Sequence, residues 1–150
     1  MESIITTNVA KQLYAKSAGV SASEVKSTDV PKLFVYLAEK KIKEHESDFR
    51  FERPSVYVGT YGKCNYGDLS GLWINLESFD TEEELRAFCK AIHSDEDEPA
   101  LMVQDYENFP SAYYQEGYNF GLMQKAIEYA KLNDNDREMF NAYLKRADRD

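Results

Sequence analysis

An α+β fold is predicted for this chain by three observations. Apolar residues recur at helical spacing through the first 54 residues. Between Ser55 and Pro110, β-branched and aromatic runs flank a turn rich in Gly and Asn. After Pro110 the helical spacing returns. The expected layout is an N-terminal helical segment, a small three-stranded antiparallel sheet with one helix, and a C-terminal helical hairpin. It divides the 150 residues into a helical piece over 1–54, an α+β module over 55–110 and a helical module over 111–150.

The elements follow in order. Val9, Ala10, Leu13 and Tyr14 have helical spacing, with Asn8 or Thr7 as the cap, and Gly19 ends the segment. Ser21-Ala-Ser-Glu24 has the form of a second start, a Ser followed three residues later by Glu. A longer helix follows Asp29, with Pro31 near its first turn. Val30, Leu33, Phe34, Leu37, Ala38 and Lys41/Ile42 trace its apolar stripe. The polar residues His45-Glu-Ser-Asp48 lead to a boundary at Arg53-Pro54.

Val56–Tyr61 reads as a strand, Gly62–Gly67 as turn chemistry and Leu72–Leu76 as an antiparallel partner strand. Asp80 is placed to cap the next helix, with Glu83 completing a capping box. Leu85, Phe88, Cys89 and Ile92 form its apolar face. Asp95–Pro99 is a loop, and Leu101–Tyr106 a third strand. A helix is expected from Tyr113 to Leu132, with Phe120, Met123, Ile127 and Ala130 on one face. Asn133-Asp-Asn-Asp136 breaks and recaps it. Met139, Phe140, Tyr143 and Leu144 stripe a last helix that packs back on its predecessor.

Eleven Tyr, eight Phe and one Trp among 150 residues supply enough apolar surface for a core, which argues against disorder throughout. The apolar run Leu33–Ala38 is far short of the ~20 residues that span a bilayer. The N-terminus lacks a basic stretch followed by an apolar one, so no secretory signal is visible. Two cysteines make no disulfide framework. These features point to a soluble protein of a reducing compartment.

The net charge of −9 is unevenly spread. Residues 1–54 hold 9 basic and 8 acidic groups, and residues 55–150 hold 9 and 19. Glu77–Glu107 alone carries 11 acids against Arg86 and Lys90. Phosphates demand cationic partners, so no direct nucleic-acid binding by the whole surface is expected. Like charges at this density destabilise the compact state. Solubility plus local helix capping is the plainer reading of the excess. A surface built to occupy a cationic groove is the sharper one.

Chemistry finds few footholds. His45 and His93 stand beside no nucleophile elbow. His93 follows Ile92 at a helix end, where a cation complements the helix dipole. Cys64 and Cys89 lack the clustered partners of a zinc site. The glycines of Gly59-x-x-Gly62 and Gly67-x-x-x-Gly71 have no following Lys-Ser/Thr, so they make no phosphate loop. Asp95-Glu-Asp-Glu98 runs into Pro99 and does not form an EF-hand. No catalytic residue, cofactor or metal is expected. Ala15-x-x-x-Gly19-Val20-Ser21 with Val25 has helix-turn-helix spacing, but only Lys26 follows as a base.

One ordered series ties the middle of the chain together. It comprises Ser55-Val-Tyr-Val-Gly-Thr-Tyr-Gly-Lys63, Asn65, Gly67, Gly71, Trp73, Leu76, Phe79, Glu82-Glu-Glu84, Cys89, His93, Asp95-Glu-Asp97, Pro99, Met102, Gln104-Asp-Tyr-Glu107 and Pro110. Over residues 55–110 it resembles the ArdA family of antirestriction proteins. Residues 111–150 are more loosely similar, through Asp136-Arg-Glu138 and Phe140-x-Ala142-Tyr-Leu144. Cys64 and Val103 stand where the family has aromatic residues. The resemblance implies a small acidic protein of phages and mobile elements, elongated and commonly a homodimer. Such a protein mimics bent B-form DNA and blocks type I restriction–modification enzymes. It also implies a shortened relative, without the family's third module and with an N-terminal piece of its own, which leaves a related host-defence enzyme open as its target.

The acids expected to face such a partner are Asp80, Glu82, Glu83, Glu84, Asp95, Glu96, Asp97, Glu98, Asp105 and Glu107. Two other readings stay open on the residues alone. One is a helix-turn-helix-like regulator or adaptor with an acidic interaction domain. The other is an enzyme using carboxylates, which needs a pocket.

Overall fold

The computed structural model describes residues 4–46 and 53–147. Within them the chain forms α1 (Ile4–Ala18), α2 (Lys32–Glu46), β1 (Ser55–Thr60), α3 (Tyr61–Asn65), β2 (Leu72–Asn75), α4 (Glu82–Ile92), β3 (Leu101–Glu107), α5 (Phe120–Ala130) and α6 (Asp134–Ala147). This is the α+β layout expected of the sequence. The residues Ser47 and Asp48, read as a polar lead-in, lie outside the described residues.

The sheet has the order β2-β1-β3, and β1 is antiparallel to both neighbours. Val56, Val58, Ile74 and Val103 are inaccessible to solvent. They share one core with Val9 and Ala10 of α1, Ala38 and Ile42 of α2, Leu85, Phe88 and Ile92 of α4, and Met123, Ala126 and Ile127 of α5. Full burial of each such Val, Leu, Ile, Phe or Met side chain contributes about 1.5–3 kcal/mol. Gly71 precedes β2 because only a hydrogen fits there. A Cβ would lie 2.5 Å from the Val58 carbonyl oxygen and 2.9 Å from the Tyr57 ring.

A register shift between Tyr57 and Val58 decides where the acids of β3 point. Val58 pairs with Val103, yet Tyr57 pairs with Asp105. Strict alternation would send residues 101, 103, 105 and 107 to one face. The extra residue flips the strand, so Leu101 and Val103 are buried while Asp105 is exposed and Tyr106 packs against the core.

Several local expectations give way to tertiary packing. Helix α1 begins at Ile4, so neither Thr7 nor Asn8 caps it, and Asn8 is buried instead. Gly19, at φ +72°, ends the helix as expected, with the Val20 N–H donating to the Ala15 carbonyl at 3.0 Å. Ser21–Glu24 does not start a helix. Ala22–Glu24 and Ser27–Asp29 are single 3₁₀ turns, and the Ser21 side chain makes no cap bond. A helix-turn-helix needs a second helix there, so that spacing is not a DNA-reading motif. The α2 stripe is only partly inward: Ala38 and Ile42 are buried, but Leu33 is 61% exposed and Leu37 39%.

Further along, Tyr61–Asn65 forms a helical turn where plain turn chemistry is expected. The Thr60 hydroxyl nucleates it by accepting from the Lys63 N–H. The helix expected from Tyr113 begins only at Phe120, capped by the Asn119 side chain. Residues before it are held extended by β3, with the Val103 N–H donating to the Glu116 carbonyl at 2.8 Å. Phe120 lies outside the core, beneath the Arg86 guanidinium at 3.9 Å. On α6, Phe140 packs on Tyr129, but Met139 and Tyr143 face solvent.

Candidate functional site

The first group of acids stands at the start of α4. Thr81, not Asp80, is its N-cap: the Thr81 hydroxyl accepts from the Glu84 N–H at 3.2 Å. Thr81 has the extended backbone that a cap requires, and this places Glu84 rather than Glu83 at the third helical position. Carboxylates in a first turn complement the helix dipole. Glu83 and Glu84 are exposed. Asp80 is exposed as well, 3.2 Å from the Lys131 ammonium. Such a surface pair contributes little.

Glu82 has another role. It is 6% exposed, and its Oε2 accepts from Arg86 Nε at 3.1 Å and from the Tyr118 hydroxyl at 2.9 Å. Burial pushes the Tyr118 hydroxyl far above its usual range, with nearby Cys89 and Glu82 adding to the effect, so it stays protonated and donates. Burial likewise raises the Cys89 thiol, which makes it unreactive. A sequence signal for this arrangement exists. Glu82 extends the stripe of Leu85 and Cys89 by one turn, on the inward face.

The second group follows the other end of α4, about 16 Å away by helical rise. His93 caps that end and is fully buried. The Lys63 ammonium lies 2.8 Å from His93 Nδ1. An ammonium only donates, so Nδ1 accepts and Nε2 carries the hydrogen toward the Val58 carbonyl at 3.1 Å. Lys63 Nζ also donates to Asp95 Oδ1 at 2.9 Å and lies 3.8 Å from Glu96. Asn8 Nδ2 donates to the Ile92 carbonyl and to Asp95. The loop of acids is therefore pinned to α1 and α3 through two of its members. Asp97 and Glu98 remain exposed.

This network corrects the reading of His93 as a dipole-stabilising cation. Burial drives its pKa below the ordinary 6.5, outweighing its hydrogen bond to Val58 and the nearby Asp95 and Glu96, and Lys63 adds to the lowering. The imidazole is neutral at pH 7. For Asp95, burial alone raises the carboxyl, but the hydrogen bond and charge of Lys63 prevail and hold it below 3.8. Both shifts have the same consequence. The unfolded chain takes up each proton first, so stability is fullest above about pH 6.5 and falls as pH drops through the folded value of His93. A second loss follows below 3.8 from Asp95. Thermal unfolding should show a lower Tm at pH 5.5 than at pH 7.5, and His93→Gln should shrink that difference. An equal difference in both proteins would rule His93 out as its cause.

The third group lies on β3. Asp105 and Glu107 stand two residues apart on the face opposite Tyr106. Asp105 is exposed, and its Oδ1 accepts from the Tyr106 N–H at 2.8 Å. Glu107 is half-buried. Sequence reasoning missed the exposed acids Asp68, Glu116, Glu128, Asp134, Asp136 and Glu138, which lie outside or between the expected groups. It also missed Lys63 and Asn8, which bind across 30 or more residues to hold the loop. Chemically, these three groups offer carboxylates on ordered elements to cationic partners. No helix among the described residues is long and apolar enough to cross a membrane.

The family model described as antirestriction protein (ArdA) matches residues 56–150. The match starts one residue after the beginning of the resembling series, covers the sheet, α4, α5 and α6, and leaves α1 and α2 outside it. No curated protein and no solved structure matches the chain. With nearly two thirds of its length matched, the chain belongs to the ArdA family of antirestriction proteins.

Proposed function

We propose that this protein inhibits a type I restriction–modification enzyme without chemistry, by filling the enzyme's DNA groove with carboxylates. One observation carries the reading. Asp80, Glu83, Glu84, Asp97, Glu98 and Asp105 stand exposed on a helix start, a pinned loop and a strand. The two ends of α4 are about 16 Å apart, close to five base pairs at 3.4 Å each. Groups held at such intervals meet the Lys and Arg side chains that an enzyme keeps for phosphates. Glu82 and Asp95 serve the fold more than the partner, because their charges are already matched by Arg86 and Lys63.

Rigidity is part of the proposal. A surface of fixed charges loses little conformational freedom on binding, and capping, the bulge and the Lys63 network fix the three groups. Attraction between exposed charges is screened by ions, so the complex should weaken as salt is raised. The meeting place is the bacterial cytoplasm. The test is competition: a DNA duplex and this protein should exclude one another from a purified type I enzyme.

A further inference from the structure

The loop between α3 and β2 displays two large apolar side chains. Tyr66 is 92% exposed and Leu69 61%. Isolated exposed apolar residues are ordinary, but this loop is held firmly. The N–H groups of Tyr66 and Asp68 both donate to the Lys63 carbonyl, and that of Gly67 donates to the Cys64 carbonyl. Gly67 supplies the left-handed turn at φ +76°. The Asp68 carboxylate accepts from the Ser70 N–H and hydroxyl, and the Tyr57 hydroxyl donates to the Leu69 carbonyl. An exposed ring on a fixed backbone costs little entropy to bind.

The loop is also placed beside the acids. Lys63, whose carbonyl anchors the loop, reaches Asp95 and Glu96 with its ammonium. The Glu96 carboxylate packs against Gly62. Asp68 is exposed and stands two residues along the chain from Tyr66. Its carboxyl is held below the ordinary 3.8 chiefly by the Ser70 hydrogen bonds, so it is charged across the neutral range. The ring thus projects from a segment whose base, at Gly62 and Lys63, lies beside the acidic loop. Proteins that handle nucleic acids receive bases on aromatic rings and on guanidinium planes.

We propose that Tyr66, flanked by Leu69, is an aromatic anchor that stacks in the partner's groove where a DNA base would, on an aromatic or guanidinium plane. The proposal rests on the mimicry reading and adds to it a contact that salt does not screen. The ring supplies the stacking face, Asp68 draws a guanidinium edge toward it, and Leu69 shields the contact from water.

The test uses the full chain and a purified type I restriction–modification enzyme, with dissociation constants measured at low and at high salt. Tyr66→Ser should weaken binding about tenfold at both, as loss of one base–aromatic stack does. Tyr66→Phe should stay within about twofold of the parent, since the ring remains. Both variants should melt as the parent does, because the side chain is exposed. Parent-like binding by Tyr66→Ser would overturn the anchor and leave the mimicry reading intact. So would a loss confined to low salt, or a Phe variant as weak as the Ser one. A parent chain that fails to bind the enzyme at all would overturn both.

Discussion

A chain carrying Glu83→Gln, Glu84→Gln, Asp97→Asn, Glu98→Gln, Asp105→Asn and Glu107→Gln should fold as the parent does and lose its inhibition. Each change swaps a carboxylate for an amide of nearly the same shape. Within the described residues, Glu83, Glu84, Asp97 and Glu98 form no ion pair, so no buried cation is orphaned. Asp105 accepts from the Tyr106 N–H, and an Asn oxygen can accept the same bond. Losing Glu83 and Glu84 from the first turn of α4 costs about 0.3–1 kcal/mol each through the helix dipole. Relief of repulsion within a chain of net charge −9 offsets part of that cost. At about 0.5–1 kcal/mol per lost contact, binding should weaken about a hundredfold or more. Circular dichroism checks the fold, and protection of DNA from a type I enzyme checks the function. A folded variant that still inhibits would sink the electrostatic reading.

Asp95→Ala, by contrast, should damage the fold far more than any one of those six changes. The substitution removes the acceptor shared by Lys63 Nζ at 2.9 Å and Asn8 Nδ2 at 3.0 Å. The Lys63 side chain is only 10% exposed, so its ammonium would be left with His93 and a Glu96 oxygen 3.8 Å away. Breaking a buried pair from one side costs about 3–5 kcal/mol. Asp95 is itself 29% exposed, which places the expected loss nearer about 2–3 kcal/mol. For a domain of this size that is a fall of about 4–12 °C in Tm. Asp95→Asn should recover part of it by restoring the acceptor, whereas Glu98→Gln should stay within about 0.5 kcal/mol of the parent. Equal stability of Asp95→Ala and Glu98→Gln would contradict the pinned-loop description.

Much of this organisation was legible in the residues. The strands around Tyr57, Trp73 and Val103 announce themselves by β-branched and aromatic content, and α4 by the spacing of Leu85, Phe88, Cys89 and Ile92. The concentration of charge between Glu77 and Glu107 is arithmetic. What stayed hidden depends on partners distant in sequence. The flip of β3 exists only against β1, because a bulge is a property of a pair of strands. The late start of α5 reflects competition, since residues 114–119 have a β3 edge to bond as an alternative to helix. The inward turn of Glu82 needs Tyr118, 36 residues away. Leu33 and Leu37 keep helical spacing with Ala38 and Ile42, but neighbours, not periodicity, determine which arc of a helix is covered.

The site divides along the same line. Which acids exist, and that all but Asp105 and Glu107 cluster at the two ends of one helix, follows from sequence. Which of them remain available to a partner does not. Arg86 takes Glu82, and Lys63 takes Asp95 and, more loosely, Glu96. Lys63 stands alone as a base between Arg53 and Arg86, surrounded by an excess of acid. A buried role for such a lysine is intelligible afterwards, but its contact with His93 spans 30 residues.

Mutual exclusion is the direct consequence of occupying a DNA groove. A labelled DNA duplex bound to a purified type I restriction–modification enzyme, titrated with this protein, measures it. Mimicry predicts complete displacement of the duplex, with the midpoint rising in proportion to DNA concentration once the enzyme is saturated with duplex. A stable complex containing enzyme, duplex and this protein together would contradict it.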